Sequence, residues 1–193
     1  VKATSLPTSG SYTWLISKML AGGNYSYDLY VEGATKKVKA RLSLDGTALV
    51  TCTGATVLTT ATWYNIVVVY NGIDIRIYIN GALDSNGANN PYTYSGGIFN
   101  STADFTIAAP SKEQSTTDAP QFYWQGSIDD VAVWGRALSA SEVSIVYALG
   151  DFFEPFLSGG GFIAGGTSGA FKGVIKTGEG GAVLTNNKKF YEK

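Results

Sequence analysis

The chain has 193 residues, of which 45% are hydrophobic, 13% aromatic and only 15% charged, a length that suits one domain with or without an appendage. Fourteen basic residues against fifteen acidic leave a net charge of −1, without the basic surplus of a nucleic-acid module or any electrostatic pull toward an anionic membrane. Histidine is absent, which excludes His-based triads, imidazole acid–base catalysis and His metal sites. The single cysteine, Cys52, excludes an internal disulfide and a Cys-rich zinc site; nothing evident lowers its pKa, so it reads as a small buried hydrophobe.

The early chain carries strand patterns. Tyr12 to Lys18 is apolar at Trp14, Leu15 and Ile16. Ser26 to Glu32 alternates Tyr27, Leu29 and Val31 against Ser26, Asp28 and Tyr30. Val38 to Leu44 alternates Val38, Ala40, Leu42 and Leu44 against basic and polar residues. Such period-two alternation marks half-buried strands. Thr47 to Thr53 and Val57 to Thr59 read as two further short strands.

Trp63 to Tyr70 is a β-branched and aromatic run, and Ile73, Ile75, Ile77 and Ile79 then share one face of the next strand. Asn71-Gly72 between them predicts a type I′ hairpin turn, which needs positive φ at both central positions. Asn80-Gly81 ends the second strand. Phe105 to Ala108 is a short strand. Gln121 to Trp134 reads as one long strand or a bent pair, with Ile128, Val131 and Val133 facing inward. Regular short strands separated by Gly, Asn and Asp predict an antiparallel sandwich.

One helix stands out. Ser139-Ala140-Ser141-Glu142 is a capping box, in which the Ser139 hydroxyl and the Glu142 carboxylate satisfy each other's backbone N–H groups. Val143, Val146 and Tyr147 form an i, i+3, i+4 stripe, and Gly150 suits the left-handed C-terminal cap. Beyond Pro155 the composition shifts. Residues 158–193 hold ten glycines among the spaced apolar residues Phe162, Ile163, Phe171, Val174, Ile175, Val183 and Leu184. Such a segment cannot form a core alone; it is a linker, or an arm that docks through those residues.

Two motifs then coincide. Trp63-Tyr64-Asn65-Ile66-Val67-Val68-Val69-Tyr70-Asn71-Gly72 leads to Ile77-Tyr78-Ile79-Asn80-Gly81. Later comes Gly126-Ser127-Ile128-Asp129-Asp130-Val131, followed by Trp134-Gly135-Arg136-Ala137-Leu138-Ser139-Ala140-Ser141-Glu142-Val143. Their order and spacing resemble the laminin G-like, concanavalin A-like jelly-roll domains of bacterial, phage and extracellular proteins. The resemblance covers residues 1–150 and leaves 151–193 as a Gly-rich extended C-terminal arm or linker. It implies an all-β, two-sheet antiparallel jelly-roll sandwich with one short helix, and a further strand before Val1. If that strand is lacking, either the chain is a fragment or another segment completes the sheet. It also implies binding rather than turnover, and a calcium ion near one rim for which Asp129 or Asp130 is the local candidate. The bland alternative for these aspartates is backbone hydrogen bonding at a strand start.

Enzymes on related sandwiches set paired carboxylates on one strand; here the acidic residues are scattered. The reading is therefore non-enzymatic, with no required cofactor. The Gly-rich tail lacks the phosphate-loop form and its strand–loop–helix setting. Glycan binding would need aromatics beside amides, and three groups qualify: Asn24 with Tyr25; Asn89, Asn90, Tyr92 and Tyr94; Tyr123 with Trp124. For each, ordinary core or turn chemistry is the alternative. The leading expectation is a surface interaction domain on a cell exterior or virion, a structural subunit joined by extended arms to itself or to neighbouring structural proteins. A glycan-binding adhesion module and an accessory domain of a carbohydrate-active enzyme are the alternatives. No apolar run of about 20 residues is present, so no membrane insertion is expected.

Overall fold

The computed structural model describes residues 1–20, 22–110, 122–149, 162–164 and 182–185. In chain order the strands are β1 (Lys2–Ala3), β2 (Tyr12–Met19), β3 (Tyr25–Glu32), β4 (Lys37–Leu42), β5 (Val50–Val57), β6 (Ile66–Tyr70), β7 (Asp74–Ile79), β8 (Ala82–Leu83), β9 (Tyr92–Thr93), β10 (Thr106–Ile107), β11 (Gly126–Ser127) and β12 (Val131–Trp134). Helix α1 (Ala140–Leu149) follows, then β13 (Phe162–Ala164) and β14 (Ala182–Thr185). A first sheet runs β10-β2-β3-β4-β5, and a second runs β13-β12-β14-β6-β7-β8 with β9 also on β7. A short ladder joins β1 to β11. This is the expected jelly-roll sandwich. No helix among the described residues is long and apolar enough to cross a membrane.

Alternation decides how the sheets stack. The inward phases of β3 and β4 (Leu29, Val31, Val38, Ala40, Leu42) meet Ile66, Tyr70, Ile75, Ile77 and Ile79 of the second sheet in one core. The outward phase of the second sheet, Val67, Val69 and Tyr78, packs with Ala132 and Trp134 of β12 and with Leu138, Val143 and Val146. The helix is thus a third layer, and each fully buried aliphatic side chain contributes about 1.5–3 kcal/mol. Cys52 is fully buried in the main core, where burial pushes its thiol up to about 12, as expected of an inert small hydrophobe.

Several local expectations shift. The two short strands read over 47–59 are one strand, β5. Asn71 is absent from the positive-φ residues while Gly72 has φ 86°. Instead of adopting a type I′ turn, Asn71 accepts the N–H groups of Ile73 and Asp74 on its own Oδ1, each at 2.9 Å. That side-chain turn absorbs Ile73 into the loop, and Ile73 is 67% exposed rather than aligned with the buried isoleucines. Positive φ at both central residues occurs at the next corner, Asn80 (51°) and Gly81 (79°), where Ile79 pairs with Ala82. The long segment to Trp134 resolves into the bent pair β11 and β12. Ile128 and Val131 half-bury against the main core, whereas Ala132 and Trp134 are the buried residues of the second cluster, since β12 is covered on both faces.

The capping box forms as read. Ser139 N donates to Glu142 Oε2 at 2.8 Å, and Glu142 N donates to Ser139 Oγ at 3.2 Å. Arg136 adds a two-pronged contact at 2.7 and 3.0 Å. These bonds, from Arg136 first, hold the Glu142 carboxyl down to about 2 from 4.5. Gly150 lies outside the described residues. Tyr147 is 43% exposed rather than core, and Leu138 joins Val143 and Val146 under the helix.

Glu142→Gln should lower the thermal midpoint by about 2–4 °C at pH 7, corresponding to about 1 kcal/mol after discounting for exposure. Because the folded-state pKa lies below the unfolded one, this contribution is complete above about pH 4.5 and is lost as the pH falls toward 2. Paired melts across that range should show the gap between the two proteins closing; a constant gap would assign the loss to another cause.

Candidate functional site

Loops from both sheets gather at one rim of the sandwich. In the 43–49 loop, Asp45 Oδ1 accepts Thr47 N and Ala48 N, both at 2.8 Å, and these donors hold its carboxyl at about 2. Gly46 sits at φ +83°, and a Cβ there would meet the Phe99 ring at 2.8 Å, so this close approach requires glycine. Phe99 is fixed from both sides of its peptide. Its N–H donates to Ser43 O at 2.7 Å, and its carbonyl accepts Ser26 Oγ at 2.7 Å. Asn24 ties the neighbouring loop, with Nδ2 donating to Thr102 Oγ1 at 2.7 Å and Oδ1 accepting Thr102 N at 3.2 Å. From the second sheet, Tyr94 N donates to Ile73 O, and Tyr70 Oη accepts Gly97 N at 2.9 Å. The Tyr70 and Tyr94 rings lie 5.6 Å apart.

The rim is therefore cross-braced, and among the polar residues it exposes (Asp45, Thr47, Asn71, Asn100, Thr102) stand two large apolar side chains. Leu44 is 59% and Ile73 67% exposed. They flank the 94–97 turn: the direction of a Cβ on Gly97 reaches Leu44 at 4.0 Å, and Ile73 O holds Tyr94 N.

The residues singled out in sequence fall in separate places. Asn24 and Tyr25 lie at this rim, tied to Thr102 and to Gly46 O; Tyr94 packs against Tyr70 and the main core with its hydroxyl buried, and Tyr92 is paired with Ile75. Asn89 and Asn90 run along β5 instead. Asn89 O accepts Thr53 N at 2.9 Å. Asn90 is fully buried; its amide accepts Ile77 N and donates to Ile77 O and Asp84 O, so it braces β7 rather than facing a ligand. Trp124 is 6% exposed within the main core, its indole donating to Ser127 O, and Tyr123 bridges to Trp14 at the opposite edge of the first sheet. Phe162, Ile163, Val183 and Leu184 lie in β13 and β14; Phe171, Val174 and Ile175 lie outside the described residues.

Asp129 and Asp130 sit between β11 and β12. Asp130 N donates to Asp129 Oδ1 at 3.0 Å with Asp130 at φ 46°, and burial raises the Asp129 carboxyl above its ordinary value. Calcium takes six to eight oxygen ligands. Among the described residues no group of three or more Asp, Glu or Cys side chains converges, so these two carboxylates do not by themselves fit that ion.

Sequence reading passed over a charged aromatic cluster on the outward face of the first sheet. Asp28, 3% exposed, accepts Trp14 Nε1 at 3.0 Å and Arg41 Nε at 3.0 Å, with a second prong from Arg41 Nη2. The guanidinium lies 4.7 Å from the centre of the Tyr30 ring, and Tyr12 packs on both Trp14 and Tyr30. Burial opposes the Arg41 charge, but the bonds and field of Asp28 outweigh it and raise its pKa; burial pushes the Tyr30 phenol up to about 12. The signal was present, since the acidic phase of β3 runs opposite the basic phase of β4 with Asp28 paired to Arg41. Reading it requires the register, which no local motif states.

Residues 1–144 match the family model described as the concanavalin A-like lectin/glucanases superfamily. The chain is similar in structure to the native heptameric SAP-like pentraxin of Limulus polyphemus, with a TM-score of 0.51 and 15% identity over 94% of this chain and 79% of that one. An S-layer domain-containing protein of Clostridium thermocellum is 26% identical with a TM-score of 0.35, covering 76% of this chain and 66% of that one. No curated protein sequence matches significantly.

Asp28→Ala leaves a largely buried guanidinium and an indole N–H without their acceptor, a loss of about 3–5 kcal/mol. The thermal midpoint should fall by roughly 10 °C. Asp28→Asn should recover part of that loss by keeping the Trp14 bond. Equal midpoints for Asp28→Ala and the parent would remove the cluster from any structural role.

Proposed function

The chain belongs to the concanavalin A-like lectin/glucanase superfamily over residues 1–144, and on that footing we propose that it is a non-catalytic interaction domain. It serves as a structural subunit of a multimeric assembly on a cell exterior or virion, meeting its neighbours at the loop rim and joined to them through its C-terminal arm. The observation that carries this reading is the rim itself. Its loops are braced by internal hydrogen bonds, and the braced surface presents Leu44 and Ile73 to solvent. A surface ordered in advance loses little entropy when it docks, and exposed apolar groups supply the attraction.

The carboxylate chemistry supports the non-catalytic part. Glycosidic hydrolysis takes two carboxyls about 5–10 Å apart, one of them kept protonated. Here Asp28 is bound to Arg41, Glu32 to Lys39, Asp74 to Arg76, and Asp84 to the Ala55 and Thr56 backbone. Among described carboxylates with shifted pKa, Glu32, Asp45 and Glu142 move down, the wrong direction for a general acid. Asp129 moves up through burial.

A second reading, glycan adhesion, draws on Asn24 and Tyr25, an amide beside a ring at the same rim. The two part on experiment. The double substitution Leu44→Asp with Ile73→Asp should abolish self-association seen by light scattering, while the thermal midpoint moves by no more than about 2 °C because both side chains are exposed. Unchanged association would take the rim out of the contact. A glycan panel, run with and without calcium, should leave the midpoint unmoved; a saturating ligand at 100 times its Kd would stabilise by about 2.7 kcal/mol, and such a shift would favour adhesion.

A further inference from the structure

Strands β6 and β12 are not neighbours. A gap one strand wide separates them, and Ala182–Thr185 fills it, pairing antiparallel with both. Val183 stands opposite Val68 on one side and Val133 on the other. The walls of this slot are tied to each other without the inserted strand. Val67, Val69 and Tyr78 on one side and Ala132 and Trp134 on the other join a single apolar cluster with Leu138, Val143 and Val146. The insert follows β13, itself paired with β12, and is joined to it by residues 165–181, a glycine-rich stretch that by length spans roughly 60 Å when extended.

The backbone pairs that β14 makes are the same whichever copy of the chain supplies it. Choice between its own slot and a neighbour's is therefore set by concentration and linker geometry rather than by new contacts. We propose that Ala182–Thr185 is a donor strand exchanged between copies, inserting between β6 and β12 of the next molecule and linking subunits through the sheet itself. This rests on the self-association reading above and specifies how the arm makes the link. A tether of this length gives the chain's own strand an effective concentration on the order of 1 mM, so exchange prevails where copies are crowded.

The test uses two full-length chains, one carrying Val68→Cys and the other Val183→Cys, mixed under mild oxidation. Register partners across antiparallel strands lie within disulfide reach, and Cys52 stays out of the chemistry because it is fully buried. We expect a disulfide-linked heterodimer mapped to positions 68 and 183, its yield rising roughly in proportion to concentration up to about 1 mM. A single chain carrying both substitutions should close internally at micromolar concentration. Internal closure without any heterodimer at 1 mM overturns the exchange, and failure of both overturns the placement of the strand in the slot. The pair Ala132→Cys and Leu184→Cys, on the opposite wall, repeats the test should Val68→Cys not fold. Oligomers that form without either cross-link leave self-association standing and remove strand exchange; a monomer throughout removes both.

Discussion

Strand β6 is packed on both faces. Ile66 and Tyr70 face the main core with Val68 half-buried beside them, and Val67 and Val69 face the helix cluster. A strand so placed must satisfy every backbone N–H and C=O by pairing, because each orphan in such a position costs about 1–3 kcal/mol. β7 satisfies one edge. The other edge does not meet β12, the next strand of the sheet, so a further strand has to stand between them. Ala182–Thr185 meets that demand, pairing antiparallel with both β6 and β12, and the order of the second sheet follows from it.

The first sheet solves a different problem. Its outward phase carries charge and rings, yet Trp14, Asp28 and Tyr30 are nearly fully covered. Burying an isolated carboxylate would be prohibitive. Asp28 is tolerated because Arg41 and the Trp14 indole supply donors on both oxygens, and Tyr30 offers its ring face to the cation. The cluster stiffens the sheet below the rim, and the rim is stiffened in turn by the bonds of Asp45, Ser26 and Asn24. Asp45 engaged in this way holds its loop in shape.

Much of the fold was legible because its signals are local. The capping box reads directly from Ser139 and Glu142, four consecutive residues whose bonds close within one turn. The alternation of β3 and β4 is equally plain, as is the burial of Cys52. Two Asn-Gly pairs looked alike, and only one forms a turn with both residues at positive φ. Asn71 has a competing option, its own side chain capping Ile73 and Asp74, whereas Asn80 Oδ1 is drawn away to Asn65 N. The candidate ligand residues suffered most: Asn90 and Trp124 are the right types for a sugar site but are consumed by bracing β7 and filling the core.

Composition and pattern alone determined an all-β sandwich without histidine chemistry, with its inward alternation, one capped helix and a glycine-rich end that could not fold by itself, since these depend on residue type and on neighbours a few positions away. Only the tertiary structure decided that Asp28 meets Arg41, that Asn24 stands at the rim while Asn90 does not, and that Ala182–Thr185 stands between β6 and β12. Those outcomes depend on strand register and sheet order, which bring together residues far apart in the chain and leave no trace in any short stretch of it.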